Sequence, residues 1–190
     1  RLDAPSAWAE VRGLAYRDDG RIVETPPRPL IEDLDGIPFP DRDLIAPERL
    51  RAELYGTNLL SSRGCPFPCS YCQNEYLMDL YRGFGRFVRY RSIDNVFAEI
   101  DEVLRKYDPS RLSFSDESFT LNKKRLAEFC GRYAKKYSIP FLCQTRPDLI
   151  DEESIRILKD GGCDFMNMAI EAGNPRIRNA VLQRNISDEQ

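Results

Sequence analysis

Three cysteines lie close together in one short segment of the chain. Cys65, Cys69 and Cys72 are spaced C-x₃-C-x₂-C and follow the apolar pair Leu59-Leu60. Three thiolates at this spacing can hold three irons of a 4Fe-4S cluster and leave the fourth iron open to a substrate, whereas four thiolates suit electron transfer. Gly64 lets the backbone approach a bulky inorganic group. The spacing therefore predicts an iron–sulfur site with one open iron.

Other roles for these cysteines remain open on spacing alone. A structural zinc site needs four ligands, usually as two separated pairs, and the chain contains no histidine. The remaining cysteines, Cys130, Cys143 and Cys163, are not paired in sequence, and we interpret them as small buried hydrophobic residues. Six cysteines in 190 residues is too sparse for a disulfide framework. A zinc-stabilised structural module and an iron–sulfur electron-transfer protein stay as the alternatives.

The composition is typical of a globular domain. Charged residues make up 31% and hydrophobic residues 42% of the sequence. The net charge of −3 does not favour a nucleic-acid surface. No apolar run approaches the ~20 residues of a membrane span, so we expect neither nucleic acid nor membrane as a partner. Unpaired thiols favour a reducing, cytoplasmic compartment.

The N-terminal part predicts a hairpin followed by a linker. Two short segments, Val11–Tyr16 and Arg21–Thr25, flank Asp18-Asp19-Gly20, a sequence that favours a tight turn between strands. Residues 26–49 contain six prolines, which indicates an extended linker instead of a helix or strand.

Strands and helices alternate through the rest of the chain. The predicted strands are Leu59–Ser62, Arg111–Ser115, Pro140–Thr145 and Asp164–Ile170. The predicted helices begin after the caps Ser92, Asn122 and Asp151 and at Asn174-Pro175. This alternation indicates an α/β fold of about four parallel βα units. Four units cannot close an eight-stranded barrel, which takes ~250 residues, so we expect a partial (βα) barrel.

Polar residues follow each predicted strand. The cysteine segment follows the first strand, Asp116 and Glu117 the second, Arg146 the third and Glu171 the fourth. Active sites of parallel βα folds form at the carboxyl ends of the strands. We therefore expect these residues to lie at one edge of the sheet.

From about Leu59 to its C-terminus, the chain resembles the radical S-adenosylmethionine (SAM) superfamily. The cysteine segment matches that family's C-x₃-C-x-aromatic-C loop, and residues 113–120 (SFSDESFT) resemble its second-strand segment. Residues 169–174 (AIEAGN) resemble a fourth-strand segment that more often reads GIESGN. Ala169 and Ala172 replace the usual Gly and Ser, so a hydroxyl contact at 172 is absent.

The resemblance implies an enzyme that cleaves SAM reductively at a three-cysteine 4Fe-4S cluster. An external donor such as flavodoxin or ferredoxin would supply the electron, and an unknown small molecule would be the substrate. Tyr71 would pack near the adenine, Asp116 and Glu117 would contact the amino group, and Glu171 a ribose hydroxyl or the amino group. Arg146 would pair with the SAM carboxylate, or form a structural salt bridge with Asp148 or Glu171. The metal ligands would be Cys65, Cys69 and Cys72.

The N-terminal third resembles a particular branch of that superfamily. Gly13–Val23, Pro26–Pro29 and Leu34–Pro40 resemble the bridge between a cobalamin-binding domain and the barrel. The resemblance implies that residues 1–56 are a hairpin and Pro-rich linker from a missing upstream cobalamin-binding-like domain. Residues 57–190 would be a radical SAM core truncated after the fourth βα unit. In the full-length protein it implies cobalamin-dependent methyl transfer or a rearrangement such as cyclisation.

Overall fold

A four-stranded parallel sheet forms the centre of the molecule. The computed structural model describes residues 5–44 and 56–190. The sheet strands are β3 (Thr57–Leu59), β6 (Leu112–Phe114), β7 (Phe141–Thr145) and β8 (Cys163–Met168), in the order β3-β6-β7-β8. All three neighbouring pairs run parallel, which confirms the partial βα barrel.

Helices connect the strands and pack over one face of the sheet. They are α3 (Ile93–Tyr107), α4 (Lys123–Lys136) and α5 (Glu152–Asp160). Each begins where the sequence predicts, because a capping side chain accepts a backbone N–H of the first turn. Ser92 accepts from Asn95 at 3.0 Å, and Asn122 and Asp151 act in the same way. The predicted helix after Pro175 is a six-residue π-helix, Arg176–Val181.

An aromatic core joins the helices to the sheet. The rings of Phe97, Phe114, Phe129, Tyr133 and Phe141 are buried and make edge-on or tilted contacts with one another. These residues lie in α3, β6, α4 and β7, so one cluster fixes two helices against two strands. No helix in the described part of the chain is long and apolar enough to cross a membrane.

The N-terminal part forms the predicted hairpin, but its first strand begins at Ala15 and runs to Asp18 instead of spanning Val11–Tyr16. A short helix α1 (Pro5–Trp8) precedes β1 (Ala15–Asp18) and β2 (Arg21–Glu24), which pair antiparallel. Asp19 and Gly20 both have positive φ, as a two-residue hairpin turn requires. Residues 25–41 form neither helix nor strand and lead to a 3₁₀ turn, Arg42–Leu44. Residues 45–49 of the predicted linker lie outside the described residues, and the predicted domain boundary at 56 stays a prediction.

The first predicted strand is wrong in its bounds. It was expected at Leu59–Ser62, but β3 ends at Leu59 and a separate two-residue strand, β4 (Ser62–Arg63), follows. The backbone N–H of Ser61 donates to the carboxylate of Asp116 at 3.0 Å instead of extending β3. β4 pairs antiparallel with β5 (Arg89–Tyr90), and α2 (Gln73–Leu80) lies between them.

Two arginines, the buried Arg42 and the half-buried Arg91, cover the outer edge of β3. Arg42 donates to the carbonyl of Asn58 at 2.8 Å, and Arg91 donates to the carbonyl of Leu60 at 2.8 Å. Both also pair with the buried carboxylate of Glu99. Because these carbonyls are satisfied by fixed side chains, this edge is closed to pairing with another strand.

Candidate functional site

The cysteine loop, residues 64–72, leaves the sheet between β4 and α2. Gly64 at its start has φ +91°, and a Cβ there would lie 2.3 Å from the carbonyl oxygen of Phe87. Only glycine fits this close approach without a shift of the backbone. Gly64 therefore lets the loop fold tightly against the segment that precedes β5.

A tight turn orients the three thiols. The backbone N–H of Cys72 donates to the carbonyl of Cys69 at 2.9 Å, and Cys72 is the N-terminal cap residue of α2. All three are free thiols; Cys65 and Cys69 are buried, and Cys72 is half-buried. Burial raises the pKa of the Cys65 thiol, against a backbone hydrogen bond from Phe67 and the charge of Arg146.

This donor set fits a cubane cluster better than a single zinc ion. Within residues 5–44 and 56–190, no group of three or more His, Cys, Asp or Glu side chains is arranged to hold one metal ion. A tetrahedral zinc site requires such convergence. A cubane takes each thiolate on a different iron, so three neighbouring thiols need not point at one ion.

Asp116 joins the end of β6 to the base of the cysteine loop. Its carboxylate is fully buried and accepts hydrogen bonds from the Ser61 N–H, the Ser61 hydroxyl at 2.7 Å and the Ser62 hydroxyl. Burial raises the pKa of Asp116, while the two serines oppose that shift. Its predicted contact with SAM stays a prediction. In the structure, its carboxylate faces Ser61 and Ser62.

Glu117, the next residue, lies differently. Its side chain is exposed, and it is near enough to Arg89 for its negative charge to act on the pKa of that guanidinium, which burial lowers. Glu117 therefore lies near Arg89 of β5, and its exposed side chain is accessible to a ligand. Its predicted contact with the SAM amino group also stays a prediction.

Arg146, which follows β7, touches the cysteine loop directly. Its Nη1 donates to the Sγ of Cys69 at 3.3 Å, and its guanidinium lies 3.7 Å from the ring centre of Phe67. Its Nε and Nη2 donate to the two carboxylate oxygens of Asp148 at 2.9 and 3.0 Å. Of the two ion-pair partners expected from the sequence, Asp148 is the one observed. The predicted contact with the SAM carboxylate stays a prediction, and it would have to compete with this pair.

Tyr71 and Glu171 meet around an arginine that the sequence analysis missed. Nη1 of Arg184 donates to the hydroxyl of Tyr71 at 2.9 Å and lies 3.9 Å from a carboxylate oxygen of Glu171. The pKa of Tyr71 is raised to about 12, first by burial and then by the neighbouring carboxylate of Glu171. Glu171 has φ +69°, so the backbone turns sharply at this point after β8.

Arg184 arrives with a C-terminal segment that returns to the cysteine loop. Ser70 donates through its N–H to the carbonyl of Leu182 at 3.2 Å and through its hydroxyl to that of Val181 at 2.6 Å. The Arg184 side chain is buried, and its Nε has no hydrogen-bond partner among the described residues. No local spacing marks this arginine, because its contact with Tyr71 spans 113 positions and its contacts with Ala169 and Glu171 depend on the return of this segment.

The four strand ends therefore converge on the cysteine loop, as expected. Asp116 holds the base of the loop, Arg146 contacts Cys69, and Arg184 connects Tyr71 to Glu171. The arrangement places the Arg146 cation beside Cys69, and it joins Tyr71 of the loop to a second buried cation and the carboxylate of Glu171. Such a site can hold a metal cluster and bind a ligand that carries both charges.

Comparison with known proteins places this architecture in a family. A profile described as the Radical SAM superfamily matches residues 59–190. An uncharacterised methyltransferase of Pyrococcus horikoshii is 32% identical over 182 residues, which cover 93% of this chain and 38% of that protein. The anaerobic magnesium-protoporphyrin IX monomethyl ester cyclase of Rubrivivax gelatinosus is 30% identical over 171 residues, covering 85% of this chain and 29% of the cyclase. The chain thus spans about a third of the length of these relatives.

Solved structures share the fold. The radical SAM methyltransferase TsrM of Kitasatospora setae, described with tryptophan substrate and a SAM analogue, superposes with a TM-score of 0.66 at 18% identity. That match covers 89% of this chain and 34% of TsrM. A second TsrM structure, described with cobalamin and a 4Fe-4S cluster, gives a TM-score of 0.53 at 17% identity, covering 63% and 23%. With the profile matching well over half of its length, the chain belongs to the radical SAM superfamily.

Proposed function

We propose that the protein containing this chain cleaves SAM reductively at a 4Fe-4S cluster held by Cys65, Cys69 and Cys72. The observation that carries the proposal is the loop of three free thiols to which the ends of all four sheet strands contribute contacts. When bound, the cluster supplies an open iron that chelates SAM and the electron that breaks a carbon–sulfur bond. The protein's task is to orient the cofactors and exclude competing chemistry.

The residues around the loop divide this task. Glu171 and Glu117 offer carboxylates to the SAM amino group or ribose. Tyr71, whose hydroxyl accepts a hydrogen bond from Arg184, is 48% exposed, so we assign its aromatic ring to contact with an adenine. Asp116 keeps the loop on the sheet.

The reaction subtype that we propose for the whole protein is cobalamin-dependent methyl transfer or a rearrangement. Two observations support it. The relatives include a methyltransferase and a cyclase, and TsrM, which shares the fold, is described with cobalamin. The segment 11–40 also resembles the bridge to a cobalamin-binding domain. The proposal further includes a small-molecule substrate, an external electron donor such as flavodoxin or ferredoxin, and a cytoplasmic location.

The test is anaerobic reconstitution of the full-length protein with iron and sulfide, followed by reduction and electron paramagnetic resonance (EPR) with and without SAM. We expect a cubane signal whose g values change when SAM is added, because SAM binds the open iron. A cubane signal indifferent to SAM would favour an electron-transfer protein. One tightly bound zinc and no cluster would overturn the proposal.

A further inference from the structure

We propose that Arg146 is a positioning residue that raises the reduction potential of the cluster through its hydrogen bond to Cys69. This inference rests on the proposed function, because it requires the cluster to be present. The observation behind it is the 3.3 Å contact between Nη1 of Arg146 and Sγ of Cys69.

Arg146 is held rigidly in this position. Its side chain is 6% exposed, and Asp148 binds the guanidinium through two hydrogen bonds. Nη2 also donates to the backbone carbonyl of Arg184 at 2.8 Å, and the ring of Phe67 covers one face of the guanidinium at 3.7 Å. Because the side chain is already fixed, it loses little further conformational entropy when its N–H donates to the sulfur.

The donors of Arg146 are nearly all committed. A guanidinium has five N–H groups. One N–H goes to Cys69, two go to Asp148 and one to the carbonyl of Arg184. One N–H is left, so the planar fork that would clamp a SAM carboxylate is already occupied. This count of donors favours an interaction of Arg146 with the Cys69 thiolate over an interaction with the SAM carboxylate.

The direction of the effect follows from charge. Reduction adds one electron to the cluster and its three thiolates, so the reduced form carries one more negative charge. A fixed cation and an N–H···S bond stabilise that form more than the oxidised one, particularly in a buried environment. Hydrogen bonds to cluster sulfurs and local charge are established controls of reduction potential. Removing the guanidinium should therefore make the cluster harder to reduce.

The experiment is an EPR-monitored redox titration of the reconstituted full-length protein and three variants. Arg146→Met removes charge and donor at similar length, and Arg146→Lys keeps the charge. Arg178→Met is the matched control, because Arg178 is also a buried arginine that pairs with one carboxylate, Asp188, but contacts no cysteine among the described residues. Iron and sulfide are measured for every sample.

We expect Arg146→Met to lower the ratio of reduced to oxidised cluster at fixed potential about tenfold, which corresponds to ~59 mV for one electron. Arg146→Lys should recover part of that loss, and Arg178→Met should leave the ratio unchanged. An unchanged ratio in Arg146→Met with a full cluster would overturn the inference. Loss of the cluster from both Arg146 variants, but not from Arg178→Met, would also overturn it, in favour of a role in holding the loop.

A second measurement tests the hydrogen bond itself. Pulsed EPR of the reduced cluster in protein labelled with ¹⁵N-arginine should show a nitrogen coupling that disappears in Arg146→Lys and persists in Arg178→Met. A coupling that survives in Arg146→Lys would contradict the assignment. Failure of the unsubstituted protein to form any cluster would instead contradict the proposed function.

Discussion

Two sets of three cysteines occupy different environments in this molecule. The rim cysteines, Cys65, Cys69 and Cys72, lie on one loop at the carboxyl ends of the strands. The core cysteines, Cys130, Cys143 and Cys163, come from α4, β7 and β8 and meet under the helices. All six are free thiols, and two members of each set are buried, so neither redox state nor burial distinguishes the sets.

Their neighbours distinguish the two sets. The core cysteines pack among aromatic rings and one another: Sγ of Cys143 lies 3.8 Å from Sγ of Cys163. Burial raises the pKa of Cys130 to about 12, so this thiol stays protonated and acts as a small apolar group. Among the rim cysteines, Cys69 instead accepts a hydrogen bond from the Arg146 guanidinium, and Cys72 is the N-terminal cap residue of α2. The comparison indicates that polar neighbouring groups, and not depth of burial, separate the proposed cluster ligands from the core thiols.

The amount of iron and sulfide bound after reconstitution should distinguish the two sets of cysteines most strongly. Replacing any rim cysteine by alanine should remove nearly all bound iron and sulfide after reconstitution, because two thiolates cannot hold a site-differentiated cubane. Cys130→Ala is the control and should retain the full content. Equal losses from rim and core variants would show that the division is wrong.

The pH dependence of stability should identify Cys130 as a core thiol. Its folded pKa of about 12 exceeds the ordinary value of 9.0, so the folded state keeps a proton that the unfolded state releases. The resulting stability is complete below pH 9 and is lost as pH rises toward 12. Between these values the free energy of unfolding of the metal-free protein should fall about 1.4 kcal/mol per pH unit more steeply than in Cys130→Ala.

Urea unfolding from pH 8 upward in steps of one unit measures this difference. The tyrosines titrate in both proteins, so only the difference between the two slopes reports on Cys130. If the free energy of unfolding falls equally steeply with pH in both proteins, Cys130 titrates normally in the folded chain and is not a buried, protonated core thiol.

Substitution by serine should also distinguish the two sets, through a smaller difference in the free energy of unfolding. Cys143→Ser places a hydroxyl in an apolar core and should lower the free energy of unfolding of the metal-free protein by about 1–3 kcal/mol. Cys72→Ser, at a half-buried cap position where serine is favoured, should change it by less than about 0.5 kcal/mol. Chemical denaturation measures both, and a larger cost for Cys72→Ser would contradict the comparison.

Local features of the fold were predictable, and long-range ones were not. The caps Ser92, Asn122 and Asp151 were found from the sequence, because each one binds an N–H three residues away. The end of β3 was misplaced, because Asp116, 55 positions further on, draws Ser61 out of the strand. The strands β4 and β5 and helix α2 were not predicted.

In the candidate site, too, the residues with local sequence signals were predictable and the long-range contacts were not. The C-x₃-C-x₂-C spacing and the polar residues after each strand identified the rim, since parallel strands bring their carboxyl ends together in any βα fold. Arg184 was missed, because its contacts with Tyr71 and Glu171 depend on the return of the C-terminal segment across the loop. For Arg146, the sequence offered both a ligand contact and an ion pair. The fold adds its contact with Cys69.

By itself, the sequence determined the family, the parallel βα architecture and the identity of the three clustered thiols, because each depends on residues near one another in the chain. Only the tertiary structure decided that the Arg146 guanidinium lies beside the sulfur of Cys69. It also decided that the carboxylate of Asp116 is buried against Ser61 at the base of the cysteine loop. Those contacts join residues 55 to 113 positions apart, and their geometry is set by the packing of helices on the sheet.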